Sequence, residues 1–117
     1  MAPAVNRPEI IINEPTFFIL LSLAAGPKHG YAILKDTEEL SQGSISLSTS
    51  TLYTALNRLL EQGLIERSDA GLNGTGPGLP RKVYRLNERG RAVLSAEAKR
   101  MNAMLASYRQ RLGEERA

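Results

Sequence analysis

Apolar positions along this chain change period several times, and each change marks an element. Phe17, Phe18, Ile19, Leu20, Leu21, Leu23, Ala24 and Ala25 leave almost no polar side, so the pattern predicts a helix buried in the core. Asn13-Glu14-Pro15 supplies its start, because Asn can satisfy free N–H groups and Pro is tolerated in a first turn. Gly26-Pro27 stops it. A second helix is predicted from His29-Gly30-Tyr31 to about Leu40. Tyr31 and Leu34, with Ile33, Thr37 and Leu40, form its apolar side, and Lys35, Asp36, Glu38 and Glu39 face water. Ser41-Gln42-Gly43 ends it. Ile45 and Leu47 then alternate with Ser44, Ser46 and Ser48, as a very short strand or an extended connector would.

The third helix carries the clearest stripe, with Leu52, Leu56 and Leu59 at i, i+4 and i+7 and Leu60 widening it. Ser48 or Ser50 can cap its start, and Gly63 stands where a left-handed residue ends a helix. Leu64-Ile65-Glu66-Arg67 reads as a strand. Residues 71–80 contain 4 glycines and 2 prolines, and Arg81-Lys82-Val83-Tyr84-Arg85-Leu86 alternates polar and apolar as a second strand. Beyond Asn87 the period is helical again. Leu94, Ala98, Met101, Leu105, Tyr108 and Leu112 are spaced as the a and d positions of nearly three heptads, which predicts a dimer interface along this helix.

Helix, helix, helix, strand, glycine-rich tip, strand, long helix is a mostly α architecture with a small β-hairpin: a winged helix-turn-helix plus a long C-terminal helix. The expected organisation is an arm over residues 1–12, a winged-helix domain over 13–86 and a dimerisation helix over 87–117. In such motifs the later helix of the pair enters the DNA major groove by its N-terminal end. Here that end offers Ser48, Thr49, Ser50, Thr51, Tyr53, Thr54, Asn57 and Arg58 away from the leucines. Hydroxyls bond phosphates or base edges, Asn pairs with adenine, and Arg pairs with guanine or phosphate. The same Ser/Thr cluster also reads as ordinary helix capping. Arg67, Arg81, Lys82 and Arg85 on the wing strands add cations for phosphate. Strand alternation separates Arg81, Val83 and Arg85 from Lys82, Tyr84 and Leu86, so these cations cannot all face DNA.

Charge sharpens this picture. Residues 1–66 carry 4 Lys/Arg against 7 Asp/Glu, whereas residues 67–117 carry 11 against 5, which points to a basic surface facing a polyanion or to a solvated helix face. No apolar run approaches the roughly 20 residues of a membrane span, and the N-terminus lacks the pattern of a secretory signal. A cytoplasmic protein with no membrane association is expected.

Catalysis is hard to build here. There are no cysteines and a single histidine, His29, which excludes thiolate metal sites, multi-histidine metal clusters and a triad whose His is supported by a second His. His29, at a helix start, reads as a structural or phosphate-facing residue. Glu38-Glu39 and Glu114-Glu115 are adjacent carboxylates that diverge on a helix. The glycine-rich tip lacks both the Gly-Lys-Ser/Thr ending and the following helix that nucleotide phosphates need. Neither a metal nor a cofactor is expected.

The chain resembles the PadR family of bacterial transcriptional regulators over about residues 14–112. The resemblance rests on Gly30-Tyr31-x-Ile33, on Ser50-Thr51-Leu52-Tyr53-x-x-Leu56-x-Arg58-Leu59 and on Gly63-Leu64-Ile65. It extends through Arg81-Lys82-x-Tyr84-Arg85-Leu86-Asn87-x-x-Gly90, with Asn87 where the family often has Thr. It implies a homodimeric repressor of the short subfamily, joined through its C-terminal helix. It also implies that Tyr31, Ser50, Thr51, Tyr53, Arg81 and Lys82 lie near DNA. Some relatives hold flat aromatic compounds between protomers against a Trp of the last helix, and this chain has no Trp. Met101, Met104 and Tyr108 remain as dimer packing or as the lining of a pocket for a small hydrophobic or aromatic effector. Two functions stay open at this point: a dimeric repressor reading a pseudo-palindromic operator in double-stranded DNA, and a winged-helix module that docks a protein partner without DNA.

Overall fold

The structure is a computed structural model that describes residues 10–68 and 82–113. The N-terminal residues 1–9, the wing tip at 71–80, Arg81 and the Glu114-Glu115 pair lie outside the described residues.

Helix α1 (Glu14–Ala24) opens as expected, with the Asn13 side chain accepting a hydrogen bond from the Thr16 amide at 2.9 Å. Ile19, Leu20 and Leu23 are fully buried, and α1 packs against the second helix, the last helix and the sheet. At its C-terminal end the Lys28 ammonium donates to the Ser22 carbonyl at 2.6 Å and lies 3.8 Å from the Asp36 carboxylate, while the Gly26 N–H donates to the Leu23 carbonyl. A cation at a helix C-terminus is favoured by both the free carbonyls and the dipole. Lys28 is therefore structural, and its two-residue strand β1 (Lys28–His29) is an element that the periodicity did not predict.

Helix α2 (Gly30–Leu40) buries Ile33 and Thr37, one turn apart. Tyr31 is 70% exposed, because it stands roughly 160° around the helix from Ile33 at 3.6 residues per turn. Of the apolar side expected for this helix, Tyr31 thus faces outward, and Leu40, the last residue of α2, is exposed although it lies on the Ile33 side. Residues 41–44 turn the chain and 45–48 form a connector rather than a strand, held by the Ser41 hydroxyl accepting from the Ile45 amide at 2.9 Å. Helix α3 (Thr49–Glu61) buries Leu52, Leu56 and Leu59 as the stripe requires. It ends in a left-handed Gly63 (φ 75°), with the Leu64 amide bonded back to the Leu59 carbonyl at 3.0 Å.

That turn leads directly into β2 (Ile65–Ser68), which pairs antiparallel with β3 (Val83–Leu86) in the register Ile65 opposite Leu86 and Arg67 opposite Tyr84. β1 pairs with the other edge of β3, so the hairpin expected from the sequence is part of a three-stranded sheet in the order β1-β3-β2. Asn87 then starts α4 (Glu88–Leu112) by accepting from the Gly90 amide at 2.8 Å. Its side-chain NH2 group donates to the Gly63 carbonyl at 2.9 Å. A Thr at this position could cap the helix but could not also reach back with an N–H.

At 25 residues α4 is about 37 Å long, and among the described residues only Gly90 of this helix is fully buried. Val93 and Leu94 pack against the core of their own domain, and Met101 is half-buried. Farther along, Leu105, Tyr108 and Leu112 are 43%, 57% and 56% exposed, on a helix whose projection helps to stretch the molecule to 60 Å.

Candidate nucleic-acid interface

The start of α3 divides the expected contact residues by role. The Ser48 hydroxyl accepts from the Thr51 amide at 3.1 Å and lies 2.9 Å from the Thr51 hydroxyl, so Ser48 is the helix cap. Ser50, Thr54 and Asn57 point outward from the buried leucines, with Arg58 and Thr51 at one flank of that outer strip and Tyr53 at the other. All six of these side chains are exposed.

On the Tyr53 flank, β1, α2, α3 and β3 meet around a hollow of about 600 Å³ lined by His29, Tyr31, Tyr53, Lys82 and Tyr84. Gly30 forms its floor. A Cβ there would fall on the Tyr53 hydroxyl and lie 2.7 Å from the ring carbon that carries it, so only glycine lets this ring lie against the start of α2. Tyr53 and Tyr84 are 6.5 Å apart between ring centroids. Burial pushes the Tyr84 phenol pKa upward, as does the neighbouring Tyr53, while the positive charge of Arg67 and its hydrogen bond oppose the shift. Lys35 stands 5.8 Å from the centroid of the Tyr31 ring, on the outer side of the same region.

His29 contributes by position. It precedes the first turn of α2 but makes no side-chain cap bond, and its Nδ1 lies 3.3 Å from the Lys82 carbonyl oxygen. This ties the wing strand to α2 and holds Lys82 at the rim of the hollow. Arg85 takes no part in the hollow, because its guanidinium pairs with Glu66 across the hairpin at 2.5 Å. The alternation of β3 is thereby resolved, with Lys82 on the hollow side and Arg85 on the other. Arg81 lies outside the described residues.

The structure thus brings His29, Tyr31, Tyr53 and Lys82 together beside the exposed strip of Ser50, Thr54 and Asn57. It places Leu105, Tyr108 and Leu112 far along α4, on a separate surface. Sequence reasoning missed Gly30 as the seat of Tyr53, because residues 30 and 53 meet only through tertiary packing. The Arg85–Glu66 pair was within reach, since facing opposite charges follow once the hairpin register is known.

The family model described as "Transcriptional regulator PadR-like family" matches residues 19–96. No curated protein matches the sequence. Among solved structures, a PadR family transcription regulator from Clostridium difficile R20291 superposes with a TM-score of 0.69 at 24% identity, covering 84% of this chain and 97% of its own. A PadR family transcriptional regulator from Eggerthella lenta is 27% identical with a TM-score of 0.63, over 83% of this chain and 82% of that one. Bacillus subtilis PadR in complex with operator DNA is 26% identical with a TM-score of 0.62. The match covers 71% of this chain but only 46% of that protein.

Proposed function

The chain belongs to the PadR-like family of transcriptional regulators, and from that premise we propose that it is a homodimeric repressor that binds a pseudo-palindromic operator and is released by a small-molecule effector. The observation that carries this reading is the shared exposure, on one side of the domain, of the α3 strip and the Tyr31–Tyr53–Lys82 hollow. Ser50, Thr51, Thr54 and Asn57 offer short polar groups that let a helix approach base edges. Arg58 and Lys82 flank them with positive charge for the two phosphate walls of a major groove. The Bacillus subtilis PadR structure with operator DNA supports the same use of the fold.

Dimerisation supplies the second half of the proposal. Leu105, Tyr108 and Leu112 are large apolar side chains left in solvent at heptad spacing, and a second copy of α4 is the surface they fit. Two α3 helices related by a twofold axis would read half-sites about 34–36 Å apart. Leu94 is half-buried against the core of its own domain, and with Ala98 and Met101 it continues the proposed seam toward that domain.

Binding of the purified protein to the DNA upstream of its own gene, titrated in salt against random DNA, tests the proposal. The expected result is a preference of at least roughly 10³-fold for the specific fragment. Equal and steeply salt-dependent binding to both would place the operator elsewhere. Absence of binding at low salt would instead favour a module that docks a protein partner.

A further inference from the structure

On the side of α3 away from Tyr53, a second cleft of about 340 Å³ lies between this helix and the segment that leads into α1. Thr51, Ala55, Arg58 and Gln62 follow one another there at helical spacing and form one wall, nearly opposite Tyr53 around the helix axis. Ile11 and Leu47 contribute to the apolar side, and every apolar side chain in the lining is aliphatic. Ile11 is 81% exposed at the mouth. Arg58 is the one charged side chain in the lining, and no carboxylate pairs with it among the described residues.

We infer that this cleft binds a small aliphatic monocarboxylate, its chain against Ile11 and Leu47 and its carboxylate on the Arg58 guanidinium. The volume falls within the range of small-molecule sites, about 300–1,000 Å³. Guanidinium and carboxylate match as a planar, bidentate, charge-assisted pair. The hydroxyl of Thr51 and the amide of Gln62, on the same wall, are hydrogen-bonding groups for a polar head. Among the described residues the lining holds no aromatic ring, which favours an aliphatic over a flat aromatic body.

Occupancy also acts on the DNA-facing surface, a consequence that rests on the function proposed above although the site itself does not. Arg58 is one of the two cations that flank the exposed strip of α3. A carboxylate bound to it cancels that charge and fills the flank of the helix, so the ligand weakens DNA binding.

Octanoate is the probe, titrated into the full chain without DNA while the methyl resonances are followed by NMR, with octanamide as the uncharged comparator. Saturable shifts are expected at Ile11, Ile12 and Leu47. Octanamide, and octanoate with the Arg58→Gln variant, should each bind roughly tenfold more weakly. Arg58 is exposed, so an unchanged thermal midpoint in Arg58→Gln separates lost affinity from lost folding. Equal affinity for octanoate and octanamide overturns the proposal, as do shifts confined to Met104 and Leu105 or no saturable shift at all. Shifts at the cleft that follow protein concentration without octanoate would make a second copy the occupant and also overturn it. DNA titrations then separate the two readings. If octanoate fills the cleft but leaves wild-type DNA affinity unaltered, the coupling fails. If the chain binds octanoate and no DNA, the cleft stands and the repressor does not.

Discussion

Gly30 and Tyr53 are complementary in a literal sense: the hydroxyl of Tyr53 occupies the space in which residue 30 would carry a Cβ. The obstacle is the far end of a half-exposed side chain, so Gly30→Ala is expected to fold, with stability within about 1 kcal/mol of the wild type, while its tyrosine swings away. If the hollow contacts DNA, operator affinity should fall about tenfold. Denaturant titration and a DNA-binding isotherm on the same sample check both halves.

Gly90 presents the opposite case. A Cβ there would run into the backbone carbonyl of Leu64, which no rotamer change can move aside. Gly90→Ala should therefore destabilise the whole domain by about 1–3 kcal/mol, read from the shift of its urea midpoint.

Ser48 and Asn57 separate capping from recognition. Because Ser48 caps α3, Ser48→Ala should cost about 1 kcal/mol of stability and leave sequence preference unaltered. Asn57 is exposed, so Asn57→Ala should leave stability within about 0.5 kcal/mol of wild type. It should also relax preference at one base position by about 1–3 kcal/mol. Competition against single-base operator variants distinguishes the two. Lys82→Ala, by contrast, should weaken all sequences alike and reduce the slope of log affinity against log salt by about 1.

Leu105→Glu places a charge in the middle of the exposed seam of α4. Sedimentation should show a dimer for the wild type and a monomer for the variant, whose circular dichroism stays helical. Operator binding should drop by roughly 10²-fold or more, because two linked half-sites become two independent ones. A variant that remains dimeric would move the interface elsewhere.

Burial raises the Tyr84 phenol pKa above its ordinary 10.0, so the folded state favours the neutral ring. The stability that this difference contributes is complete below the unfolded value and is lost as pH climbs through it toward the folded value. Unfolding free energy should accordingly decline above about pH 10, and Tyr84→Phe should flatten that decline.

The four helices, the β2–β3 hairpin and their order were legible because each depends on neighbours within a few residues. The leucine stripe of α3, the Asn13 and Asn87 caps, the Gly63 stop and the heptad spacing of α4 are local patterns with local causes. For the same reason the exposed strip of Ser50, Thr54 and Asn57 followed from helix geometry alone.

Tertiary structure decided everything that joins distant segments. Two residues, Lys28 and His29, form a strand only because β3 offers them an edge, and no period can show in so short a run. The apolar character of Tyr31 groups it with the apolar side of α2, and only the burial of Ile33 and Thr37 turns it outward into the hollow. The wing cations were sorted by register, which set Arg85 against Glu66 and left Lys82 beside His29. Composition supplied the residue types for an interface, and long-range packing chose which of them share one.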